Sequence, residues 1–199
     1  MKKGKVVYLN GASSSGKTTI ARSFRLQTEQ PYLYLGLDTF INMIPLGYFG
    51  QTEEASEYMQ QKIYVDSEGY DLVSTHYGPK GMGLIRTMYK TVTNLAEENM
   101  DVVFDDVYWD MKLPAEIMKN VEVYLVNVYA PLDVLVEREK NRTVRANGLA
   151  RWHFPKIYTP DRVYDLEIDT SKLNPEESVI EINKMLEGGK PTAFKKILL

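Results

Sequence analysis

The sequence predicts an α/β fold in which a parallel five-stranded sheet carries helices on both faces. Short runs of β-branched and aromatic residues alternate along the chain with segments of helical spacing. Strands that alternate with helices form βαβ units, and such units build parallel sheets that are covered on both faces. A length of 199 residues suits one domain of this kind with its own hydrophobic core.

Five strands are predicted where short apolar runs meet turn-forming or acidic residues. They cover residues 5–9, 32–36, 102–104, 121–129 and 164–168. Helical spacing of apolar residues predicts helices over residues 17–28, 38–44, 82–98, 131–141 and 174–186. The last helix begins with a capping-box signal, because Asn174 is followed by Pro175 and then by Glu177.

Residues 46–81 form the least regular part of the sequence, and they are rich in Gly, Tyr, Gln and Glu. Two strand-like pieces flank the turn signal Ser67-Glu68-Gly69, which predicts a hairpin excursion from the main sheet. We therefore expect one domain over residues 1–199, in which the excursion over 46–81 helps to form a substrate pocket.

The composition narrows the class of protein. A formal net charge of −3 gives no basic field that would attract nucleic acid. The absence of cysteine excludes disulfides, zinc–cysteine sites and thiol catalysis. The apolar run at residues 6–9 is too short for a signal peptide, and no segment is long enough to cross a membrane. We expect a cytoplasmic protein with no membrane or nucleic-acid partner.

A phosphate-binding motif follows the first predicted strand. The pattern G-x-x-x-x-G-K-[ST] is matched in full by Gly11, Ala12, Ser13, Ser14, Ser15, Gly16, Lys17 and Thr18, and Thr19 follows it. Glycines let backbone N–H groups turn inward around phosphate oxygens, and the next helix directs its positive end at them. In this motif Lys17 reaches the β- and γ-phosphates and the Thr18 hydroxyl binds Mg²⁺.

A chance match to this motif would be a Gly/Ser-rich turn with no ligand. Here the motif follows a strand, opens a helix and lies near the N-terminus, which is the context that nucleotide binding requires. The sequence therefore predicts that residues 11–19 bind ATP together with Mg²⁺.

Asp38 comes just after the second predicted strand, so it should lie at the same edge of the sheet as the phosphate loop. Its position fits a helix N-cap, although Ile41 stands where a capping box would have Glu or Gln. It equally fits a general base that takes the proton of an acceptor hydroxyl during phosphoryl transfer. The spacing leaves both interpretations open.

Asp105 and Asp106 close the apolar run of the third predicted strand, a pattern typical of a Walker B element. One of the two carboxylates could hold Mg²⁺ directly or through water. The alternative is a strand that leaves the sheet through a solvated turn. The phosphate loop upstream favours the metal-binding interpretation, but it does not decide which aspartate acts.

Arg138, Arg142 and Arg145 are spaced four and three residues apart, which on a helix places them on one face. A solvated charged face is one interpretation of this spacing. The other is a lid over residues 138–151, whose guanidinium groups would neutralise charge on the transferring phosphate. The phosphate loop favours the lid.

Five blocks of the sequence resemble chloramphenicol phosphotransferase in the same order. They are LNGASSSGKT, LGLDTFINMIPL, VVFDDV, REKNRTVRANGLA and YDLEIDTS, spread from residue 6 to about residue 171. The resemblance implies a kinase-like P-loop NTPase fold, a three-layer sandwich with an arginine-bearing lid. It also implies the ATP-dependent phosphorylation of an alcohol.

The resemblance assigns roles to several of these residues. It implies that Asp38 is the general base and that Lys17 and Thr18 act at the phosphates. It also implies that Arg138, Arg142 and Arg145 are the lid arginines, and that Thr170 and Ser171 flank the adenine. Residues 46–81, 152–163 and 191–199 do not match closely. The acceptor is thus expected to be a small molecule with a hydroxyl group, chloramphenicol or another.

Two other functions remain possible at this point. One is a kinase that resembles zeta toxins and phosphorylates a nucleotide-sugar, which would need a basic acceptor pocket; residues 46–86 contain few cations. The other is a nucleotide-binding regulator without chemistry of its own. The sequence also leaves open whether the chain forms a homo-oligomer.

Overall fold

The structure, a computed structural model, describes residues 3–142 and 147–199. Its strands are β1 (Lys5–Asn10), β2 (Tyr32–Gly36), β3 (Phe49–Gly50), β4 (Met59–Val65), β5 (Asp71–Tyr77), β6 (Asp101–Asp106), β7 (Glu122–Tyr129) and β8 (Leu166–Asp169). Its helices are α1 (Lys17–Gln27), α2 (Leu37–Ile41), α3 (Pro79–Glu97), α4 (Lys112–Ile117), α5 (Leu132–Lys140), α6 (Leu149–Ile157), α7 (Pro175–Glu187) and α8 (Ala193–Ile197).

The central sheet has five parallel strands in the order β2-β6-β1-β7-β8, which confirms the predicted fold class. Asp105 and Asp106 are the last two residues of β6 rather than a turn beyond it, because both still pair with residues of β1. The last strand is Leu166–Asp169 instead of 164–168, and Asp165 accepts a hydrogen bond from the backbone N–H of Leu125 through its side chain.

Alternating residues of β1 point into two separate cores, one on each face of the sheet. Val6 and Tyr8 belong to the core that includes α3 and the C-terminal tail. Val7 and Leu9 belong to the core that includes α1 and α7. The strand is therefore a continuous hydrophobic run over residues 6–9, as expected for a central strand of a parallel sheet that is buried on both sides.

The predicted excursion is a second sheet in the order β3-β4-β5. Strands β4 and β5 form the expected antiparallel hairpin, and Gly69 in its turn has φ +85°. Strand β5 packs against α6, and the backbone N–H of Val73 donates to the carbonyl of Gly148 at 3.2 Å. The excursion is thus joined to the segment that follows the predicted lid arginines.

The sequence analysis did not predict the α-helices α4, α6 and α8. Helix α6 contains Pro155, a residue that normally interrupts a helix. The capping box at the start of α7 is confirmed, since Asn174 and Glu177 exchange side-chain to backbone hydrogen bonds of 2.9 Å. Among residues 3–142 and 147–199, no helix is long and apolar enough to cross a membrane.

The C-terminal tail packs on its own chain. Asp165 accepts hydrogen bonds from the backbone N–H groups of Thr192 and Ala193 at 2.7 and 3.0 Å. The buried ring of Phe194 meets the ring of Tyr8 edge-on, with centroids 6.0 Å apart. The tail therefore completes one of the two cores.

We predict that Phe194→Ala lowers the free energy of unfolding by about 3 kcal/mol, because it removes a buried ring and leaves a cavity beside Tyr8. Urea denaturation measures this loss. Lys195→Ala on the exposed face of the same helix is the control, and it should change stability by less than about 0.5 kcal/mol. Equal losses in the two variants would contradict the docking of the tail.

Candidate active site

The ends of three strands bring the predicted phosphate-binding, metal-binding and catalytic residues to one cavity of about 580 Å³. The phosphate loop follows β1, Asp38 follows β2, and Asp105 ends β6. All three segments line the cavity, as expected because the carboxyl ends of parallel strands meet at one edge of the sheet. The predicted convergence of these residues is therefore present in the structure.

The phosphate loop runs from the end of β1 to the start of α1. Gly16 precedes the helix with φ +97°, and Ser14 also has a positive φ of 66°. A side chain at Gly11 would place its Cβ 2.3 Å from the carbonyl oxygen of Val128, so only glycine fits there. Five loop residues line the cavity: Ser13, Ser14, Gly16, Lys17 and Thr18.

Three of the predicted nucleotide-binding residues belong to the loop but are not among the residues that line the first cavity. Gly11, Ala12 and Ser15 do not line it. The N–H of Ala12 donates to the Tyr158 hydroxyl at 2.9 Å, and that hydroxyl donates to the carbonyl of Val128 at 2.6 Å. Through Gly11 and Ala12 the loop therefore contacts β7 and Tyr158, which follows α6.

Lys17 is buried within the loop. Its Nζ donates to the carbonyl oxygens of Gly11 and Ala12 at 2.9 and 2.8 Å. These contacts hold the ammonium group within the loop, and Lys17 lines the cavity. The position agrees with the role that the sequence predicts.

Asp105 lies next to Thr18 at the base of the cavity. Its Oδ2 accepts hydrogen bonds from the Thr18 hydroxyl at 2.9 Å and from the Tyr34 hydroxyl at 3.1 Å. Burial raises the pKa of the Asp105 carboxyl, while the charge of Lys17 opposes that rise. A carboxylate beside a hydroxyl offers the oxygen ligands that Mg²⁺ prefers.

Asp106 is enclosed by hydrogen-bond donors. The Tyr8 and Tyr89 hydroxyls both donate to its Oδ2 at 2.7 Å, and the backbone N–H of Tyr108 donates to Oδ1 at 2.6 Å. Asn10 donates a longer bond of 3.3 Å. Burial raises the pKa of Asp106 to about 6 even though these donors favour its charged form. These hydrogen bonds give Asp106 a structural role in the core, whereas Asp105 accepts the hydrogen bond of Thr18.

Asp38 is an exposed residue in the first turn of α2 and lines the cavity. The N-cap of α2 is Gly36, which has no side-chain cap, so the N-cap interpretation of Asp38 is wrong. Its charge is close enough to add to the rise that burial causes in the pKa of Tyr34. Asp38 thus shares one cavity with Lys17 and Thr18.

The predicted helical face that Arg138 and Arg142 would share is wrong. Helix α5 ends at Lys140, so Arg142 follows the helix and does not share a helical face with Arg138. Arg142 lines the cavity. Arg138 donates to the side-chain and backbone oxygens of Thr170, both at 2.8 Å. Arg145 lies outside the described residues, as do three other positions of the predicted lid, 143, 144 and 146.

A second cavity of about 330 Å³ adjoins the first along the phosphate loop, since Ser14, Gly16 and Arg142 line both. Thr19 and Thr170 line this second cavity, as the predicted nucleotide contacts require, whereas Ser171 does not. Ser171 instead donates to the carboxylate of Asp169 through its backbone and its hydroxyl.

The sequence analysis missed Glu139, which is only 2% exposed. Its carboxylate accepts hydrogen bonds from the backbone N–H groups of Gly148 and Ala150 at 2.8 and 3.0 Å. Glu139 therefore ties the end of α5 to the start of α6, across the residues of the predicted lid. No local pattern reveals this role, because the donors lie nine and eleven residues away.

The sequence analysis did not say which residues of the excursion would line the first cavity. Its lining from the excursion includes Phe49, Met59, Gln61 and Thr75, and His153 lines it from α6. The alternation of side chains along β4 and β5 could have suggested which residues share a face of the hairpin. It could not have shown that this face lines the same cavity as the phosphate loop. Among the described residues, no cluster of three or more histidines and acids forms a metal site.

The family of the chain follows from comparison with known proteins. The model that describes chloramphenicol phosphotransferase-like proteins matches residues 4–187. The chain belongs to the chloramphenicol phosphotransferase-like family. A protein of Mycobacterium tuberculosis strain H37Rv, named "Putative O-phosphotransferase Rv2636", is 26% identical over 201 residues. That match covers 99% of this chain and 89% of the relative.

Solved structures support the same fold. APS kinase CysC of Mycobacterium tuberculosis, in complex with AMPPNP and APS, has a TM-score of 0.63 at 15% identity, over 94% of this chain and 99% of that one. Shikimate kinase of Acinetobacter baumannii has a TM-score of 0.55 at 16% identity, over 94% and 95%. At these identities the likeness shows the fold alone, which is that of P-loop kinases. The family and the fold together support a kinase-type phosphotransferase.

We predict that Tyr158→Phe destabilises the protein by about 1–3 kcal/mol, because the N–H of Ala12 loses its buried acceptor. The looser loop should also bind ATP several-fold more weakly. Denaturant unfolding and ATP titration measure the two effects. Tyr164→Phe is the matched control, since its hydroxyl donates only at 3.3 and 3.5 Å, and its losses should be smaller. A larger loss in the control would contradict this role for Tyr158.

Proposed function

We propose that the protein transfers the γ-phosphate of ATP to a hydroxyl group of a small molecule, as in chloramphenicol 3-O-phosphotransferase. The observation that carries the proposal is the shared cavity, which Lys17, Thr18 and Asp38 all line. A phosphate-binding loop and a carboxylate that share one cavity provide the two sites that such a transfer needs.

Asp38 is proposed as the general base. As the acceptor oxygen forms its bond to the γ-phosphorus, the Asp38 carboxylate takes the hydroxyl proton. The bond from that phosphorus to the β–γ bridging oxygen breaks, and ADP leaves with the electron pair. An ordinary carboxylate suffices because the transition state is loose, so positioning matters more than basicity.

Thr18 and Asp105 are the residues that would hold Mg²⁺. Their oxygens lie 2.9 Å apart, and a site with one carboxylate and one hydroxyl suits an ion that keeps several waters and phosphate oxygens as ligands. Bound Mg²⁺ would neutralise charge on the β- and γ-phosphates. Asp106 is proposed to have no direct part, because tyrosine and backbone donors occupy its oxygens.

The second cavity is proposed to hold the adenosine part of ATP. It adjoins the phosphate loop, and Arg138 and Thr170 form one side of it. Thr170 donates to the carbonyl of Ser15 at 2.9 Å, so this wall is fixed to the loop. In this arrangement Arg138 supports the nucleotide pocket, and Arg142 is the described lid arginine on the phosphate side.

We predict that Asp38→Asn lowers turnover by about a hundredfold or more while ATP affinity changes little, because only the base is removed. Acceptor-dependent ADP release and ATP titration test this. Asp133→Asn on the exposed start of α5 is the control and should keep full turnover. A folded, ATP-binding unmodified protein that releases no ADP with any alcohol would instead favour a nucleotide-binding regulator.

We predict that Asp105→Asn raises the Mg²⁺ concentration needed for half-maximal turnover at least about tenfold, because it removes the charged ligand. ADP release as a function of Mg²⁺ at fixed ATP measures this shift. Tyr34→Phe keeps the carboxylate and removes only a hydrogen-bond donor to it, so its shift should be smaller. An unchanged Mg²⁺ dependence in Asp105→Asn would rule out this site.

A further inference from the structure

One edge of the hairpin formed by β4 and β5 is covered by its own chain. The backbone N–H of Val73 on β5 donates to the carbonyl of Gly148 at 3.2 Å, and the guanidinium of Arg151 lies 3.7 Å from the ring centroid of Tyr70. Strand β5 is therefore bordered by the start of α6. The other edge belongs to β4, and only the first two residues of that strand pair with β3.

Beyond β3, the strand β4 presents backbone hydrogen-bonding groups at an open edge, residues 61–65. Antiparallel ladders alternate between pairs that exchange hydrogen bonds and pairs whose backbone groups point away from each other. The N–H of Asp66 donates to the carbonyl of Tyr70 across the hairpin at 2.9 Å. By this alternation, the N–H and C=O groups of Val65 and Ile63 point outward. In the part of the chain that the structure describes, no strand pairs with the open edge.

The side chains at the end of the open edge are apolar and exposed. Ile63, Tyr64 and Val65 are 52%, 44% and 62% exposed. Sheets usually protect such an edge with charges, proline or a bulge, because an apolar edge pairs readily with another strand. Here Lys62 is the one charged residue among residues 62–65, and the register of the hairpin runs without a bulge. These properties indicate that a further strand pairs with the open edge.

The charges of the hairpin favour a second copy of this chain as that strand. If two copies of β4 lie antiparallel about a twofold axis at Tyr64, Lys62 lies opposite the partner's Asp66, and Ile63 lies opposite the partner's Val65. The outward backbone groups of Ile63 and Val65 then meet those of the partner and exchange hydrogen bonds. An axis at Lys62 would instead place two lysines opposite each other, which is destabilising.

The turn of the hairpin holds Asp66 in place for this ion pair. Its Oδ1 accepts hydrogen bonds from the backbone N–H groups of Glu68 and Tyr70, both at 2.9 Å. Opposite residues whose backbone groups point away from each other have Cα atoms only about 4.5 Å apart, so their side chains are close. Lys62 and the partner's Asp66 would form a pair of this kind, on the same face as the two Tyr64 rings.

We propose that two copies of this chain associate through the open edge, which joins their hairpins into one continuous sheet. The contact is isologous, because the same residues meet on both sides of the axis. Its short length places it among weak interfaces, which bury less than about 1,200 Å², so the dimer should dissociate on dilution. The proposal is independent of the proposed function, since none of residues 62–66 lines the first or the second cavity.

Sedimentation of the full chain at increasing concentration tests the association, and we expect dimer to be detected by about 0.5 mM, where weak contacts are populated. Val65→Pro removes an N–H that the hairpin does not use and should weaken the dimer about tenfold or more. Lys62→Glu places like charges opposite each other and should weaken it about threefold to tenfold. Lys119→Glu makes the same charge change at an exposed residue after α4 and should leave the dimer unchanged.

Introduced cysteines report the register, because the chain has no cysteine of its own. Tyr64→Cys places two thiols opposite each other on the axis, at a separation that a disulfide can span. Mild oxidation should therefore convert this variant to a covalent dimer. Glu68→Cys lies in the turn, beyond the paired residues, and should remain monomeric on a non-reducing gel. Faster cross-linking of Ile63→Cys than of Tyr64→Cys would overturn the proposed register.

The outcomes decide the proposal even if one variant fails to fold. Loss of the dimer in Lys62→Glu, with an unchanged free energy of unfolding, supports it without Val65→Pro. A chain that stays monomeric at every concentration tested would overturn it. A dimer that persists in both Val65→Pro and Lys62→Glu would also overturn it, because its interface would lie elsewhere. Acceptor-dependent ADP release is measured separately, so neither result bears on the proposed phosphoryl transfer.

Discussion

The support of the phosphate loop from behind is the constraint on which the rest of the site depends. A loop can turn its N–H groups toward phosphate only if its other face is fixed. Here Gly11 approaches Val128 too closely for any side chain, the Tyr158 hydroxyl bridges Ala12 to β7, and Thr170 donates to Ser15. The conformation of the loop therefore depends on its contacts with β7, with Thr170 at the end of β8 and with Tyr158 after α6. The glycines of the motif permit that conformation.

The two aspartates at the end of β6 show how adjacent carboxylates acquire different roles. Successive side chains of a strand point to opposite faces. Asp105 faces Thr18 and Tyr34 at the cavity. Asp106 lines the cavity too, but its carboxylate accepts hydrogen bonds from the buried hydroxyls of Tyr8 and Tyr89. The tail contributes indirectly to this environment, because Phe194 packs against the ring of Tyr8.

The excursion and the predicted lid are physically joined. Val73 of the hairpin donates to the carbonyl of Gly148, while the buried carboxylate of Glu139 accepts from Gly148 and Ala150. The hairpin also lines the first cavity through Met59, Gln61 and Thr75. The wall that the hairpin gives the cavity is therefore bonded directly to the start of α6.

The sequence by itself determined the five-stranded parallel sheet, the phosphate loop and the presence of Asp38 at the same sheet edge. These features follow from local patterns, namely strand and helix periodicity and a contiguous motif, and the order of strands places their ends together. The tertiary structure decided that Asp105, and not Asp106, accepts the hydrogen bond of Thr18, and it revealed Glu139. Thr18 lies 87 residues from Asp105, and the donors to Glu139 lie nine and eleven residues away beyond the end of its helix, and local patterns carry no information about such contacts.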